Sequence, residues 1–131
     1  VKLYLASKFA LKEKVEMLAS VLKAEGHEIT VEWWLKDWKQ SGASDEEWYE
    51  EPSTKSISER NFNGIRKADA CILVCPDDGP TKFNGANVEI GFALALGKRC
   101  YSVGSLDRSA MYLNVIRCRD IDELMKKMKM G

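Results

Sequence analysis

The sequence predicts an α/β domain: a doubly wound parallel sheet of four to five strands with helices on both faces, three layers in all. Three observations predict it. Strand-like apolar runs alternate with helical periodicity along the 131 residues, the pattern of a parallel sheet wound by crossover helices. The run Ala70–Cys75, ACILVC, is almost unbroken in apolar character, as a central strand covered on both faces must be. Two helical stretches each end at a glycine, Gly26 and Gly97, where a left-handed C-cap is expected.

A chain of this length fits one domain and buries roughly two thirds of its unfolded surface. Its 45% apolar and 31% charged residues are those of an ordinary globule, and no repeat or low-complexity segment suggests a second domain. Twenty basic and twenty acidic residues cancel, which gives no support to a nucleic-acid partner. No window approaches the apolar run of a membrane helix and no signal-peptide pattern opens the sequence, so a cytoplasmic protein without a membrane partner is expected.

Val1–Ala6 is the first strand, with Ser7-Lys8-Phe9 turning after it. Residues 12–25 are helical, with Val15, Leu18, Ala19 and Leu22 on one buried face. Ile29–Trp34 is rich in β-branched and aromatic residues and is assigned the second strand. Lys36–Lys55 carries tryptophans and acids without a clean period. It is either a partly helical insertion over a site or a surface loop in a subunit contact. Ser56-Ile57-Ser58-Glu59 has capping-box spacing and is expected to open a helix reaching Ala68. After the third strand comes a loop, Pro76–Asn84, then a helix opening near Ala86 and a strand, Arg99–Val103. Residues 105–113 form a turn or short helix, and Val115–Cys118 is a weaker fifth strand. The last helix, Asp120–Met130, puts Ile121, Leu124, Met125 and Met128 on a packing face.

Cysteines 71, 75, 100 and 118 fall in or near strands and are expected to be buried free thiols of a reducing compartment. His27 is the only histidine, so no metal site is expected. The GxxxxGK[ST] loop, the dinucleotide glycine fingerprint and the G-x-S-x-G elbow are all absent.

In such a sheet the ligand crevice lies beyond the carboxyl ends of the strands. Ser7-Lys8-Phe9, Asp77–Gly85 and Gly104-Ser105 converge there. Glu89 reaches the same edge from the first turns of an otherwise apolar helix. It is either an ordinary N-terminal carboxylate favoured by the helix dipole or the nucleophile of an active site.

Taken together, KLYLASKF before a helix, GHEITVEWW, ADACILVCPDDG and GANVEIGFALALGK resemble the nucleoside 2-deoxyribosyltransferase-like family over nearly the whole chain. The resemblance implies a flavodoxin-like sheet and a homo-oligomer, dimeric or larger. It also implies a nucleoside or nucleotide substrate whose N-glycosidic bond is cleaved, with no metal or organic cofactor. It makes Glu89 the catalytic glutamate and Tyr4 the residue that places it. A family aspartate in the helix before the third strand falls on Asn61. Another, six residues before the glutamate, falls on Phe83, with Asn84, Asp77 or Asp78 the nearest substitutes. Asp69 matches the family's AD motif, as a substrate contact or a structural residue, and Ser109–Asn114 is implied to reach a neighbouring subunit's site.

The chemistry expected is attack of Glu89 on C1′ of a deoxyribose through an oxocarbenium-like transition state. Helix-terminal N–H groups are expected to keep Glu89 ionised. Ser7, Lys8, Ser105 and amides of glycine-containing turns such as Gly85 would hold a 5′-hydroxyl or phosphate. Phe9, Trp33 or Trp34 would stack on the base. The alternative is a non-catalytic nucleotide-binding module on the same fold, suggested by Asn61 and Phe83.

Overall fold

The computed structural model describes residues 1–35, 44–50, 52–79 and 81–130. Five parallel strands, β1 (Lys2–Ala6), β2 (Glu28–Ile29), β3 (Ala70–Val74), β4 (Arg99–Val103) and β5 (Ile116–Cys118), pair in the order β2-β1-β3-β4-β5. The helices are α1 (Lys12–Ala24), α2 (Asp45–Glu50), α3 (Pro52–Lys67), α4 (Gly85–Ala95) and α5 (Ile121–Met130). This is the flavodoxin-like order, and the winding reverses between β1 and β3.

Every residue of β3 is buried, which is why its sequence is apolar throughout rather than alternating. Its in-register partners set the two faces: Tyr4, Cys71 and Cys100 lie in one row, Leu5, Ile72 and Tyr101 in the next. The Tyr4 face is covered by α3, whose Gly64 would place a Cβ only 3.3 Å from the Tyr4 ring. α1 and α5 flank the opposite face beside Val103. The α1 stripe of Val15, Leu18, Ala19 and Leu22 is buried as its spacing predicts. Gly26 and Gly97 adopt φ of 92° and 74°, the left-handed conformation that costs glycine nothing. Asp120 opens α5, its Oδ1 accepting from the Glu123 amide at 2.9 Å, a side-chain cap.

The structure corrects two of these elements. The second strand does not run to Trp34: it stops at Ile29, and Trp33–Leu35 is a 3-10 turn. Successive residues of a strand face opposite sides, whereas Trp33 and Trp34 are both buried, their rings edge to face at 5.5 Å. Only a turn buries both beside one edge strand. α3 begins at Pro52, not Ser56; proline's fixed φ suits a first helical position, and Ser56 and Glu59 lie exposed along the helix. Part of the segment between Lys36 and Lys55 is helical, in α2 and the start of α3; residues 36–43 lie outside the described residues.

The four cysteines are free and buried. Cys71 and Cys100 are lateral neighbours on β3 and β4, and their hydrogen bond, with burial, pushes the Cys71 thiol up. Among the described residues no helix is long and apolar enough to cross a membrane.

Candidate active site

The reversal between β1 and β3 leaves a crevice beyond their carboxyl ends. Ser7 follows β1 there, and its Oγ donates to the Val74 carbonyl of β3 at 2.8 Å, bridging the strands at the switch point. The Trp33 indole donates to the Leu5 carbonyl at 2.7 Å, so the turn that cut β2 short also walls the crevice.

α4 enters from the far side of β3. Because it begins at Gly85, Glu89 sits in its second turn, and no acid occupies the first. Helical side chains lean toward the N-terminus, which carries the carboxylate back over β1. There the Tyr4 hydroxyl donates to Glu89 Oε2, joining residues 85 apart in sequence. On α3, Arg60 donates from Nε and Nη2 to the Asn61 side-chain oxygen at 3.2 and 3.1 Å. Asn61 and Glu89 line the same two cavities, with the Asn61 side chain facing the carboxyl.

Burial pushes the Glu89 carboxyl up to about 7, against the opposing pull of the Tyr4 hydroxyl, the Arg60 charge and Asn61. The expectation that the helix terminus keeps this group ionised is therefore corrected. Dipole stabilisation fades within the first turn, and desolvation dominates. Burial, and then the Glu89 charge, push the Tyr4 hydroxyl up, so it remains a donor.

Two cavities share this carboxylate. One of about 200 Å³ is lined by Tyr4, Ser7, Phe9, Trp33, Asn61 and Glu89. The other, about 560 Å³, shares Ser7, Asn61 and Glu89 and adds Lys8, Ser58, Lys82, Asn84 and Gly85 among its walls. The larger has the size of a small-molecule pocket. Lys8 donates to Thr81, which fastens the turn after β1 to the loop before α4.

Of the residues singled out in the sequence, Tyr4, Ser7, Lys8, Phe9, Asn61, Asn84, Gly85 and Glu89 all line these cavities. Others do not, Asp77 among them. Asp69 stands at the amino end of β3, where its Oδ2 accepts from the Lys2 amide at 2.7 Å; it ties β3 to β1 at the opposite edge of the sheet. Asp78 is exposed in a turn with Gly79, whose φ is 70°. The Ser105 amide donates to the Pro76 carbonyl at 2.8 Å, and its side chain lies outside both cavities. Phe83 is a core residue. Trp34 is buried away from the cavities, leaving Phe9 and Trp33 as the aromatic walls.

Sequence reasoning missed Arg60, Ser58 and Lys82. Their one signal was position on the helix or loop that carries Asn61 or Asn84, and nothing in spacing told which way they turn. The segment after β4 holds a short turn, Ala110–Tyr112, and the Tyr112 hydroxyl donates to Asn87 of α4. Among the described residues no group of three or more His, Cys, Asp or Glu is placed to hold a metal.

The sequence profile described as nucleoside 2-deoxyribosyltransferase matches residues 3–126. No curated protein matches the chain significantly. Three solved structures share its fold. A CMP N-glycosidase, BcmB, of Clostridium botulinum superposes with a TM-score of 0.62 at 20% identity, covering 98% of this chain and 99% of its own. A 2-deoxyribosyltransferase of Bacillus psychrosaccharolyticus gives 0.67 at 19% identity over 95% and 90%. A conserved protein of Enterococcus faecalis gives 0.68 at 14% identity over 99% and 98%.

Proposed function

The chain belongs to the nucleoside 2-deoxyribosyltransferase family, and from that premise we propose that it breaks the N-glycosidic bond of a 2′-deoxyribonucleoside or its 5′-monophosphate through Glu89. The observation that carries the reading is the contact between the Tyr4 hydroxyl and the Glu89 carboxylate in the wall of a cavity at the switch point.

The ionised Glu89 oxygen attacks C1′ as the C1′–N bond breaks. The bonding pair leaves with the base, which takes up a proton, and the sugar remains as an ester of Glu89. Water or a second base then attacks C1′ and releases the carboxylate. A deoxyribose lacks the 2′-hydroxyl that would withdraw electrons from C1′, so the oxocarbenium-like transition state forms more readily. Tyr4 holds one carboxylate oxygen in place by donating to it, and Asn61 beside it favours the charged form; both remain neutral while the carboxylate is charged. Phe9 and Trp33 offer aromatic surface to the base. Lys8 and Lys82 stand with the start of α4 around the larger cavity, where a 5′-phosphate would be met by positive charge and free N–H groups.

The test is release of free base from a panel of deoxynucleosides, their monophosphates and CMP, with and without an acceptor base. Glu89→Gln should abolish turnover in a folded protein, and normal turnover by that variant would remove Glu89 as nucleophile. Base exchange without hydrolysis would identify a transferase. The second reading, a non-catalytic nucleotide-binding module, is favoured by the burial of Phe83, where the resemblance places an acid. Saturable binding with no base released from any member of the panel would establish it. A homo-oligomer is proposed as well, with Met111 and Leu113, 82% and 85% exposed beside α4, as contact candidates. Sedimentation at a single-subunit mass would refute it.

A further inference from the structure

We propose that Arg60 is a positioning residue for Glu89 that acts through Asn61: by fastening the amide oxygen of Asn61 it turns the amide nitrogen toward the carboxylate. A guanidinium carries only donors. Two of its N–H groups meet a single atom of Asn61, at 3.2 and 3.1 Å, so that atom must be the oxygen. The other end of the amide is then the NH₂ group, and it is the end left to face Glu89 in the cavities that both residues line. Arg60 and Asn61 are successive residues of α3 and both are half-buried, so the Arg60 side chain folds back on its own helix to make this contact.

The consequence follows from what each group can do. An ionised carboxylate only accepts, so an amide held with its nitrogen forward favours the charged form. An amide free to flip would present its oxygen for part of the time, and that orientation favours the protonated acid. The other groups facing Glu89 do not supply this selection. Tyr4 of β1 donates from a hydroxyl that rotates freely enough to serve either form. Cys71 of β3 faces it with a thiol held neutral. The ammonium of Lys8, on the turn after β1, is occupied by Thr81. Arg60 also lowers the Glu89 pKa through its own charge. The proposal is that it acts through orientation as well as through charge.

The proposal rests on Glu89 being the working carboxylate, but its test needs no turnover. The full chain, labelled with ¹³C at glutamate carboxyls, is titrated by NMR from acid to alkaline pH. Loss of one signal in Glu89→Gln assigns the resonance. Arg60→Met should move the Glu89 midpoint upward by about one pH unit, and Asn61→Ala by a similar amount. The double variant should move it no further than Arg60→Met alone, because the oriented contact is already lost there. Arg60→Lys, which keeps the charge but loses the paired donors, should recover only part of the shift.

An unchanged midpoint in folded Arg60→Met would overturn the proposal. So would shifts that add in the double variant, or full recovery by lysine, since either would mean that Arg60 acts by charge alone. If Arg60→Met fails to fold, Arg60→Gln carries the same comparison. An inactive wild-type protein with these shifts would sink the glycosidic reading and leave the positioning role standing. An active protein without them would do the reverse.

Discussion

Replacing Glu89 with glutamine should make the protein more stable in alkali and leave its stability in acid unchanged. Burial lifts this carboxyl from 4.5 to about 7, and at about 1.4 kcal/mol for each pH unit that rise is worth about 3 kcal/mol. The direction follows from proton counting. Between the two values the folded state binds more protons than the unfolded chain, so stability falls as pH rises. Below about pH 4.5 the group is protonated in both states and nothing is lost. Above about pH 7 it is charged in both, and the folded state carries the whole desolvation cost. Glutamine copies the protonated acid at every pH and still accepts from Tyr4. Urea unfolding of both proteins at pH 4 and pH 8.5 measures the difference, since all other titrating groups are common to the pair. The expected gap is near zero at pH 4 and about 3 kcal/mol in favour of Glu89→Gln at pH 8.5. A gap that does not change with pH, or one that favours wild type in alkali, would refute the description of Glu89 as a desolvated carboxyl. On the proposed reading, the same desolvation that weakens the fold makes the carboxylate a better nucleophile, a trade of stability for activity.

With Glu89 as the proposed nucleophile, kcat/KM should rise with pH through about 7 and level off above, as a pH–rate profile would show. Tyr4→Phe removes a hydrogen bond to a charged acceptor, worth about 1.5–3 kcal/mol. It should lower kcat/KM at pH 7 about tenfold, with much of the loss recovered at pH 9. A Cβ at Gly64 would lie 2.3 Å from the Val31 side chain and 3.3 Å from the Tyr4 ring. Gly64→Ala should therefore cost about 1–3 kcal/mol in urea and reduce turnover by displacing Tyr4. Gly104 has φ of 105° and a Cβ there would stand 2.7 Å from both the Cys75 and Pro76 carbonyls. Gly104→Ala should lower Tm by several degrees, about 2 kcal/mol or more of strain, seen in a thermal melt.

Local signals carried far in this chain. The stripe of α1, the glycine caps at 26 and 97, and the unbroken apolar run of β3 are each written within a few residues, and the structure follows them. The misread elements are those where burial by distant partners outweighed propensity. Ile29–Trp34 has strand composition, yet two adjacent tryptophans needed the same side of the chain. Ser56–Glu59 has capping spacing, yet the helix was already running from Pro52.

The site divides in the same way. Glu89 and the turn after β1 could be picked out because an acid in an apolar helix and polar residues after a strand are local anomalies. Asp69 stands out by motif, yet it precedes β3 and so lies at the amino edge of a parallel sheet, opposite the crevice. Sequence alone established most of the strands and helices, and which carboxylate to watch. Tertiary structure alone decided the strand order that brings β1 beside β3, and hence that Tyr4 meets Glu89. It also decided that Asn61 is gripped by Arg60, and that the carboxyl titrates near neutrality rather than near 4.5. The reason is physical: backbone preference is set by neighbours along the chain, whereas desolvation and hydrogen bonding are set by whatever the fold packs against a group, however far away in sequence.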